Sequence, residues 1–468
     1  MQDISTQHPD FSWLEADREM PRDLMGGTQR MRDAGKTYLP QETEEQPKDY
    51  QNRIARSFLY NGFRRSVLNL VGRIFDKPVN VTGHEDAEKW AEDVTNDGRD
   101  LLTFARSISH TGMSEGVCHI FTDFTQRGEV ESRGEENQLA PRPYMVEIKP
   151  SDLFYWRYEA GMAGKTLAEI RYFDSYIDEA GKRQKQIRQY LGNGDWALYR
   201  MQSKENQQDA DKWAVEEEGN TGLSGIPLTT IYFGDRRCYM GADPPLRDLA
   251  EVNVAHWQSS SDQRHVLHIA RVPVLFTKML GDGKTKLVIG VNRHINGGDP
   301  ASDAKWIEHT GAAIGAGRQD LQDLEGQMAA MGIELLMANK PGGETATAHA
   351  LSKKAEESTL QVIAKSIKRG LSDAMGWMAE WAALGADLVV EMNTDHDIVM
   401  SDATELQILT AARERRDLTR ITFWAELKRR GILSDDFDPD VEAYTLDEAP
   451  PDGFVDSDMV PTEEAEED

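Results

Sequence analysis

With 468 residues, 29% of them charged, and a formal net charge of −28, the chain is long enough for two or three packed regions. It is too acidic to grip nucleic acid mainly by counterion release. No stretch approaches the ~20 apolar residues of a membrane span, the start Met1-Gln2-Asp3-Ile4-Ser5 lacks the basic and apolar regions of a signal peptide, and Cys118 and Cys238 lie far apart and make no metal pattern. The expectation is a soluble protein made in a reducing cytoplasm.

Residues 1–37 are polar and weakly periodic, which predicts helix only in part. From Tyr50 to Phe75, Ile54, Phe58, Phe63, Val67, Leu70 and Ile74 recur on a helical period that Pro78 stops. Glu88 to Thr111 predicts another helix, with Trp90, Val94, Leu101, Ala105 and Ile108 inward. From Gly116 to Phe233 the period falls to two. Candidate strands are Val117–Phe124, Tyr144–Ile148, Leu167–Tyr176, Gln186–Leu191 and Trp196–Met201, with Trp213–Val215 and Leu228–Phe233 as two more. Turns such as Glu179-Ala180-Gly181-Lys182 and Gly192-Asn193-Gly194-Asp195 separate them, so this is an antiparallel region.

Asp243-Pro244-Pro245 opens a helix that carries Leu246, Leu249 and Val252 to about Ala270, where Arg271-Val272-Pro273 ends it. A glycine-broken insert follows, with strand-like Val272–Phe276 and Leu287–Val291. Leu321, Leu324, Met328, Met331 and Leu335 then form a second helical stripe, and Asn339 to His349 is a loop by composition. A third stripe, Leu360, Ile363, Ile367, Leu371, Ala374, Met378 and Trp381, is opposed by Lys365, Lys368, Arg369 and Asp373. Its helix of about thirty residues would span roughly 45 Å. Leu388–Met392 and Ile398–Met400 predict short strands, and Thr404–Arg416 with Thr419–Arg430 a helical pair. After Arg430 there are fifteen Asp and Glu and no Lys or Arg, which leaves 53 basic against 66 acidic residues before it, a net of −13. The tail 435–468 therefore predicts a solvated, disordered segment. The fold class expected is α+β.

Motifs that could carry chemistry fail on spacing. Gly281-Asp282-Gly283-Lys284-Thr285 has the end of a phosphate loop, but Lys278 stands where its first glycine belongs, so a turn is expected. Gly311 to Gly317 lacks dinucleotide-fingerprint spacing and reads as entry to a helix. His265 and His268, with His256 and Asp262 nearby, lack the His-Glu-x-x-His arrangement and suit a polar helix face at a subunit contact. Asp395-His396-Asp397 would alternate faces on a strand and so not converge. Asp436, Asp438 and Asp440 match the start of a calcium loop, but Val441 replaces its glycine and Asp447 its bidentate Glu. Arg413, Arg415, Arg416, Arg420, Lys428, Arg429 and Arg430 are the one basic concentration in the sequence, with pairing to acidic neighbours as the plain reading.

The order helix, insert, helix, loop, long helix resembles the portal proteins of tailed double-stranded DNA bacteriophages. The residues that carry the resemblance are Pro244-Pro245-Leu246-Arg247-Asp248-Leu249-Ala250-Glu251-Val252-Asn253, Ser259-Ser260-Ser261-Asp262, Glu308-His309-Thr310-Gly311, Leu321 to Met331 and Leu351-Ser352-Lys353-Lys354-Ala355. Upstream, Asn61-Gly62-Phe63-Arg64-Arg65-Ser66-Val67 and Val71-Gly72-Arg73-Ile74-Phe75-Asp76-Lys77-Pro78 belong with them. The resemblance covers roughly residues 38–430 and involves no catalytic signature.

It implies an N-terminal segment (1–37), a wing of helices and antiparallel sheet (38–242), stem helices (243–271 and 314–337) around a small α/β clip (272–313), a tunnel loop (338–350) and a tunnel helix (351–385). Wing strands (386–401), a helical crown (402–434) and the acidic tail (435–468) complete it. By resemblance the chain would be no enzyme and need no cofactor or metal. It would form a dodecameric ring at one capsid vertex of the virion, contacting the major capsid protein and scaffold, and docking the terminase large subunit and head–tail adaptors. Double-stranded DNA would pass through it in packaging and ejection without sequence-specific binding, and an acidic lining suits a channel in which phosphates must slide. The tunnel-loop residues would be Asn339, Lys340, Gly342, Gly343, Glu344 and Thr345. Arg413, Arg416 and Arg420 would be a crown contact for DNA, and Gly281, Asp282, Lys284, Lys286 and Arg293 a docking surface on the clip. Two rival readings are a metal-dependent hydrolase or nuclease using carboxylates, and another head–tail connector component.

Overall fold

Five helices precede the first long strand. In the computed structural model the described residues are 3–124, 142–161, 164–202, 212–271, 274–278, 300–307, 312–334, 359–385, 388–394, 403–429, 432–433 and 437–448. Helix α1 (Phe11–Ala34) buries Phe11, Leu14, Leu24 and Met31 on one face, with Pro21 and a break at Gly27 (φ 77°) along it. Its polar composition masks that stripe, so a segment expected to be only partly helical is core. α2 (Pro47–Arg56) starts on proline after extended Gln46 and stops where Ser57 turns extended again. α3 (Gly62–Ile74) is capped by Asn61, whose side chain accepts from the Arg64 amide at 2.8 Å. One apolar period from Tyr50 to Phe75 thus spans two helices.

The helix expected from Glu88 to Thr111 is likewise two, α4 (Glu85–Glu92) and α5 (Leu101–Glu115). Between them Asn96 and Gly98 take positive φ (60° and 92°), and the Asp93 carboxylate accepts from the Gly98 amide at 2.8 Å. Asp100 then caps α5, accepting from the Thr103 amide at 2.7 Å. Turn and cap chemistry outweighs the apolar period here.

Every strand pair among the described residues is antiparallel. A central three-stranded sheet has the order β3 (Pro143–Ile148), β2 (Val117–Phe124), β9 (Leu228–Tyr232). Because side chains alternate across a strand, Cys118 and Ile120 face a helical core with Met145 and Ile231, while Phe121 faces the other way with Ile148 and Leu228. That second core is closed by a five-stranded meander: β4 (Leu153–Gly161), β5 (Gly164–Ile177), β6 (Arg183–Leu191), β7 (Asp195–Gln202) and β8 (Lys212–Asn220). β4 has no counterpart in the sequence expectation, since Leu153, Phe154 and Trp156 are buried without clean alternation. A short ladder joins β10 (Arg236–Cys238) to β11 (Gly241–Ala242).

α6 (Arg247–Ala270) and α7 (Ala312–Glu334) pair lengthwise. α8 (Thr359–Trp381) returns to the helical core. Its stripe, Leu360, Ile363, Ile367, Leu371, Ala374 and Met378, is buried against β2, β9 and α3. The approach to β9 is close enough that only glycine fits at residue 370: a Cβ there would stand 2.3 Å from Ile231 Cγ1. β14 (Val389–Glu391) then pairs with β1 (Asn80–Thr82). With helices and antiparallel sheets sharing both cores, the fold is α+β.

Met1–His396 make one compact unit and Asp397–Asp468 a second. The second contains α9 (Ala403–Glu414), α10 (Arg420–Arg429) and α11 (Pro439–Glu448). Thr419 caps α10 through the Thr422 amide at 3.1 Å, and Asp438 caps α11 through the Asp440 amide at 2.9 Å. Trp424 meets Phe437 edge-on at 5.7 Å, and Lys428 Nζ donates to the Phe437 carbonyl at 2.8 Å. Part of the acidic stretch expected to be disordered is therefore helix. A capping aspartate, a proline at the first position and an aromatic contact supply what net charge alone does not show.

Candidate functional surfaces

α6 is anchored in the core through its first half and only half-buried or exposed past Asp262. Leu249, Ala250, Asn253 and Trp257 are buried in its first half, and Asn253 clamps the start of α3. Its amide donates to the Tyr60 carbonyl at 2.9 Å and its oxygen accepts from the Phe63 amide at 2.8 Å. α7 lays Met328 into the same core. Beyond Trp257 the two helices are joined by polar groups: Ser259 Oγ donates to Asp320 Oδ2 at 2.6 Å and Gln263 Nε2 to the Ile314 carbonyl at 2.8 Å. His256 Nε2 lies 3.4 Å from Glu325. Rising numbers on α6 meet falling ones on α7, so the pair is antiparallel. A 24-residue helix is roughly 36 Å long, enough to project well past its anchor.

Past α6, β12 (Val274–Lys278) pairs with β13 (Asp303–Ile307), from Val274 opposite Ile307 to Lys278 opposite Asp303. Phe276 is 45% exposed and Trp306 54%. Lys305 Nζ, opposite Phe276, sits 5.7 Å from its ring centre. A two-stranded ladder with exposed aromatics is marginal alone and gains from a further partner.

Lys340, with Asn339, Gly342, Gly343, Glu344 and Thr345, lies outside the described residues, as do Gly281, Asp282, Lys284, Lys286 and Arg293. The Gly281–Thr285 run and Asp395-His396-Asp397 do too. Arg413, Arg416 and Arg420 share the turn between α9 and α10. Arg413 Nη1 donates to the Leu418 carbonyl at 3.1 Å, Arg416 is exposed at φ 64°, and Arg420 stacks over Trp424 at 5.4 Å. Two of the three hold local structure. Asp438, read as a calcium-loop position, spends its carboxylate on the α11 cap.

Ionisable groups collect in a cleft of about 370 Å³ between β2–β3 and β5–β6. Asp123 accepts from the Tyr144 hydroxyl at 3.2 Å, and burial raises its carboxyl above the usual range against the pull of Arg188. Asp174 Oδ2 accepts from Arg188 Nε and from Gln186, both at 2.9 Å. Glu147, also at the cleft, accepts from Thr111 at 2.7 Å. Among the described residues no three His, Cys, Asp or Glu side chains are grouped to hold a metal ion, His256, Asp262, His265 and His268 included. Burial pushes the imidazole of His119 down to about 3, with Nδ1 at 2.9 Å from Thr230 Oγ1. These pairs read as polar joints between neighbouring strands of one sheet and, at Thr111–Glu147, between helix and sheet.

One surface the sequence does not announce is basic. Arg64 and Arg65 on α3, four and three residues before exposed Leu68, and Arg106 on α5, four before half-buried His110, are exposed on two helices that pack together. Residues 64 and 106 stand far apart in the chain, so charge runs point only to Arg413–Arg430.

Residues 245–382 match a family described as Domain of unknown function (DUF4055). No curated protein matches the chain. Among solved structures, a chain of the virion of a native gene transfer agent (GTA) particle is 12% identical, with 83% of this chain and 90% of that chain covered at a TM-score of 0.39. Chains from the neck of the empty GTA particle computed with C6 symmetry, and of the native particle with C12 symmetry, are each 13% identical over the same shares at 0.40.

Proposed function

We propose that this chain is a structural subunit of a tailed-phage-type particle, and within that class the subunit of its portal ring. The observation that carries the reading is the path of residues 243–385. An anchored helix, α6, runs outward to the exposed β12–β13 ladder, α7 runs back alongside it, and after residues 335–358 α8 re-enters the helical core. An antiparallel, polar-linked helix pair with a bare tip encloses no pocket; it reaches outward and presents the tip. That is the stem, clip and tunnel-helix order that the sequence resembles, with the two sheets and α1–α5 as the wing.

On this reading the copies close into a ring through heterologous contacts. The β12–β13 tip meets the motor and the adaptors, Lys340 and its neighbours face passing DNA, and Arg413, Arg416 and Arg420 lie on the crown. No residue is assigned to catalysis; motor chemistry belongs to a separate chain. The test is native mass spectrometry and negative-stain imaging of the purified full chain. Ring particles of one defined mass with a central channel are expected; a stable monomer or dimer at micromolar concentration ends the proposal. Lys340→Ala then separates channel from scaffold: rings form as before, and DNA retention or translocation changes.

A further inference from the structure

Most arginines of the first unit whose side chains are buried or half-buried are tied to carboxylates. Arg22 pairs with Glu115 at 2.6 Å, Arg53 with Glu45 at 2.8 Å, Arg171 with Glu169 at 2.8 Å, Arg188 with Asp174 at 2.9 Å and Arg200 with Glu216 at 2.9 Å. Arg64, Arg65 and Arg106 are exposed. Among the described residues none of the three has a carboxylate within salt-bridge distance, and Arg65 finds only the ring of Tyr60, at 5.6 Å. α3 packs on α5, and the charges of Arg64 and Arg106 both act on half-buried His110, so the face is drawn from two helices. Leu68, four residues after Arg64 and therefore on the same side of α3, is 43% exposed within it.

The opposite imbalance sits where α2 meets α6. Glu42, Glu45 and Asp262 gather around the single guanidinium of Arg53, with Arg53 Nη1 3.7 Å from Asp262. Three carboxylates meet one arginine there, with His265 as a further basic group within reach, and the Asp262 side chain is 66% exposed.

We propose that the α3–α5 face, Arg64, Arg65, Leu68 and Arg106, docks onto the acidic α2–α6 corner, Glu42 and Asp262, of a second copy of this chain. The proposal rests on the ring reading and names the faces by which neighbours meet. Two different surfaces of one subunit, each carrying the charge the other lacks, make a head-to-tail contact, the type that closes rings. A copy of this chain is the occupant favoured over nucleic acid. A phosphate backbone would supply charge but nothing for Leu68, and it would have to approach a body with a large acidic excess. Arginine around an exposed aliphatic side chain is the composition of a protein interface.

The experiment uses the full chain. Arg64→Glu with Arg106→Glu is compared with wild type by native mass spectrometry over a protein dilution series, with circular dichroism melting to follow the fold. Both side chains are exposed, so the melting profile of the dissociated chain should stay native-like while the concentration for half-assembly rises at least tenfold. Adding Glu42→Lys and Asp262→Lys to the double variant restores assembly if the two faces meet; no restoration overturns the pairing. A wild type that is monomeric ends the ring reading and this contact with it. Wild-type rings with equally stable variant rings end only this contact. Loss of binding to a fluorescent 30-base-pair duplex, with assembly unchanged, also overturns it and assigns the face to DNA.

Discussion

Gly370→Ala sets two physical effects against each other. Helix propensity alone favours alanine in the middle of α8 by about 1 kcal/mol. The new Cβ would stand 2.3 Å from Ile231 Cγ1 and 2.6 Å from Cδ1, and Ile231 is 1% exposed, with no solvent to swing into. Overpacking of a filled core costs ~1–3 kcal/mol, and two contacts this short belong at the upper end. The net expectation is a loss of about 1–2 kcal/mol, opposite in sign to the propensity argument. Urea denaturation of the purified full chain, followed by far-ultraviolet circular dichroism, measures it. Ile231→Ala alone should cost about 2–5 kcal/mol, but it removes both clashing atoms. The double variant should therefore lose less than the two singles together, with a coupling of ~1–3 kcal/mol. A Gly370→Ala protein as stable as wild type, or strict additivity in the double variant, would refute the packing of α8 on β9.

Ile367→Ala, at a fully buried position of the same helix, should cost about 2–5 kcal/mol, while exposed Lys365→Ala stays within ~0.5 kcal/mol; equal effects in chemical denaturation would mean the buried face is misassigned. His119 is held neutral in the fold, whereas the unfolded chain takes up a proton below its ordinary value of 6.5. The associated stability is thus complete above that value and falls as pH drops toward about 3, by about 1.4 kcal/mol per unit. His119→Asn, which keeps a hydrogen-bonding group toward Thr230, should flatten that slope between roughly pH 6 and 4.5; parallel wild-type and variant curves would remove His119 from the account. Asp438→Ala should cost ~1 kcal/mol and fray α11, seen as faster amide exchange of Asp440 and Val441 with no change in α1–α8.

What the sequence disclosed depended on whether a single periodicity governed a segment. The α8 stripe was legible because one helix face is buried along its length, and β2 because both its neighbours hold it in a sheet. The breaks at Ser57–Asn61 and Asn96–Asp100 are hidden, since apolar spacing runs across them and the decisive signals are two capping side chains, Asn61 and Asp100, and two positive φ values. α1 escaped because its buried face includes Arg18, whose guanidinium donates to the Met240 carbonyl at 2.8 Å and so sits in a core where composition predicts surface. The resemblance named loops and tips as sites. The arginine face of α3 and α5 could not be named so, because it exists only once residues 64 and 106 are folded side by side.

Strand β1 has a single partner in its ladder: Asn80 faces Glu391, Val81 faces Val390 and Thr82 faces Val389. On a ribosome adding 5–20 residues per second, the later strand follows the earlier by roughly 15–60 s. α8, which fills the helical core with Ile363, Ile367 and Leu371, is made in the same late interval. Through that time α3, which packs on α1 and α5, still lacks its contact with α8. The N-terminal helices therefore cannot be finished first and left behind. The chain must be shielded from its neighbours until nearly 400 residues exist, and crowded synthesis on one message is where it is most exposed to sticking to another copy of itself.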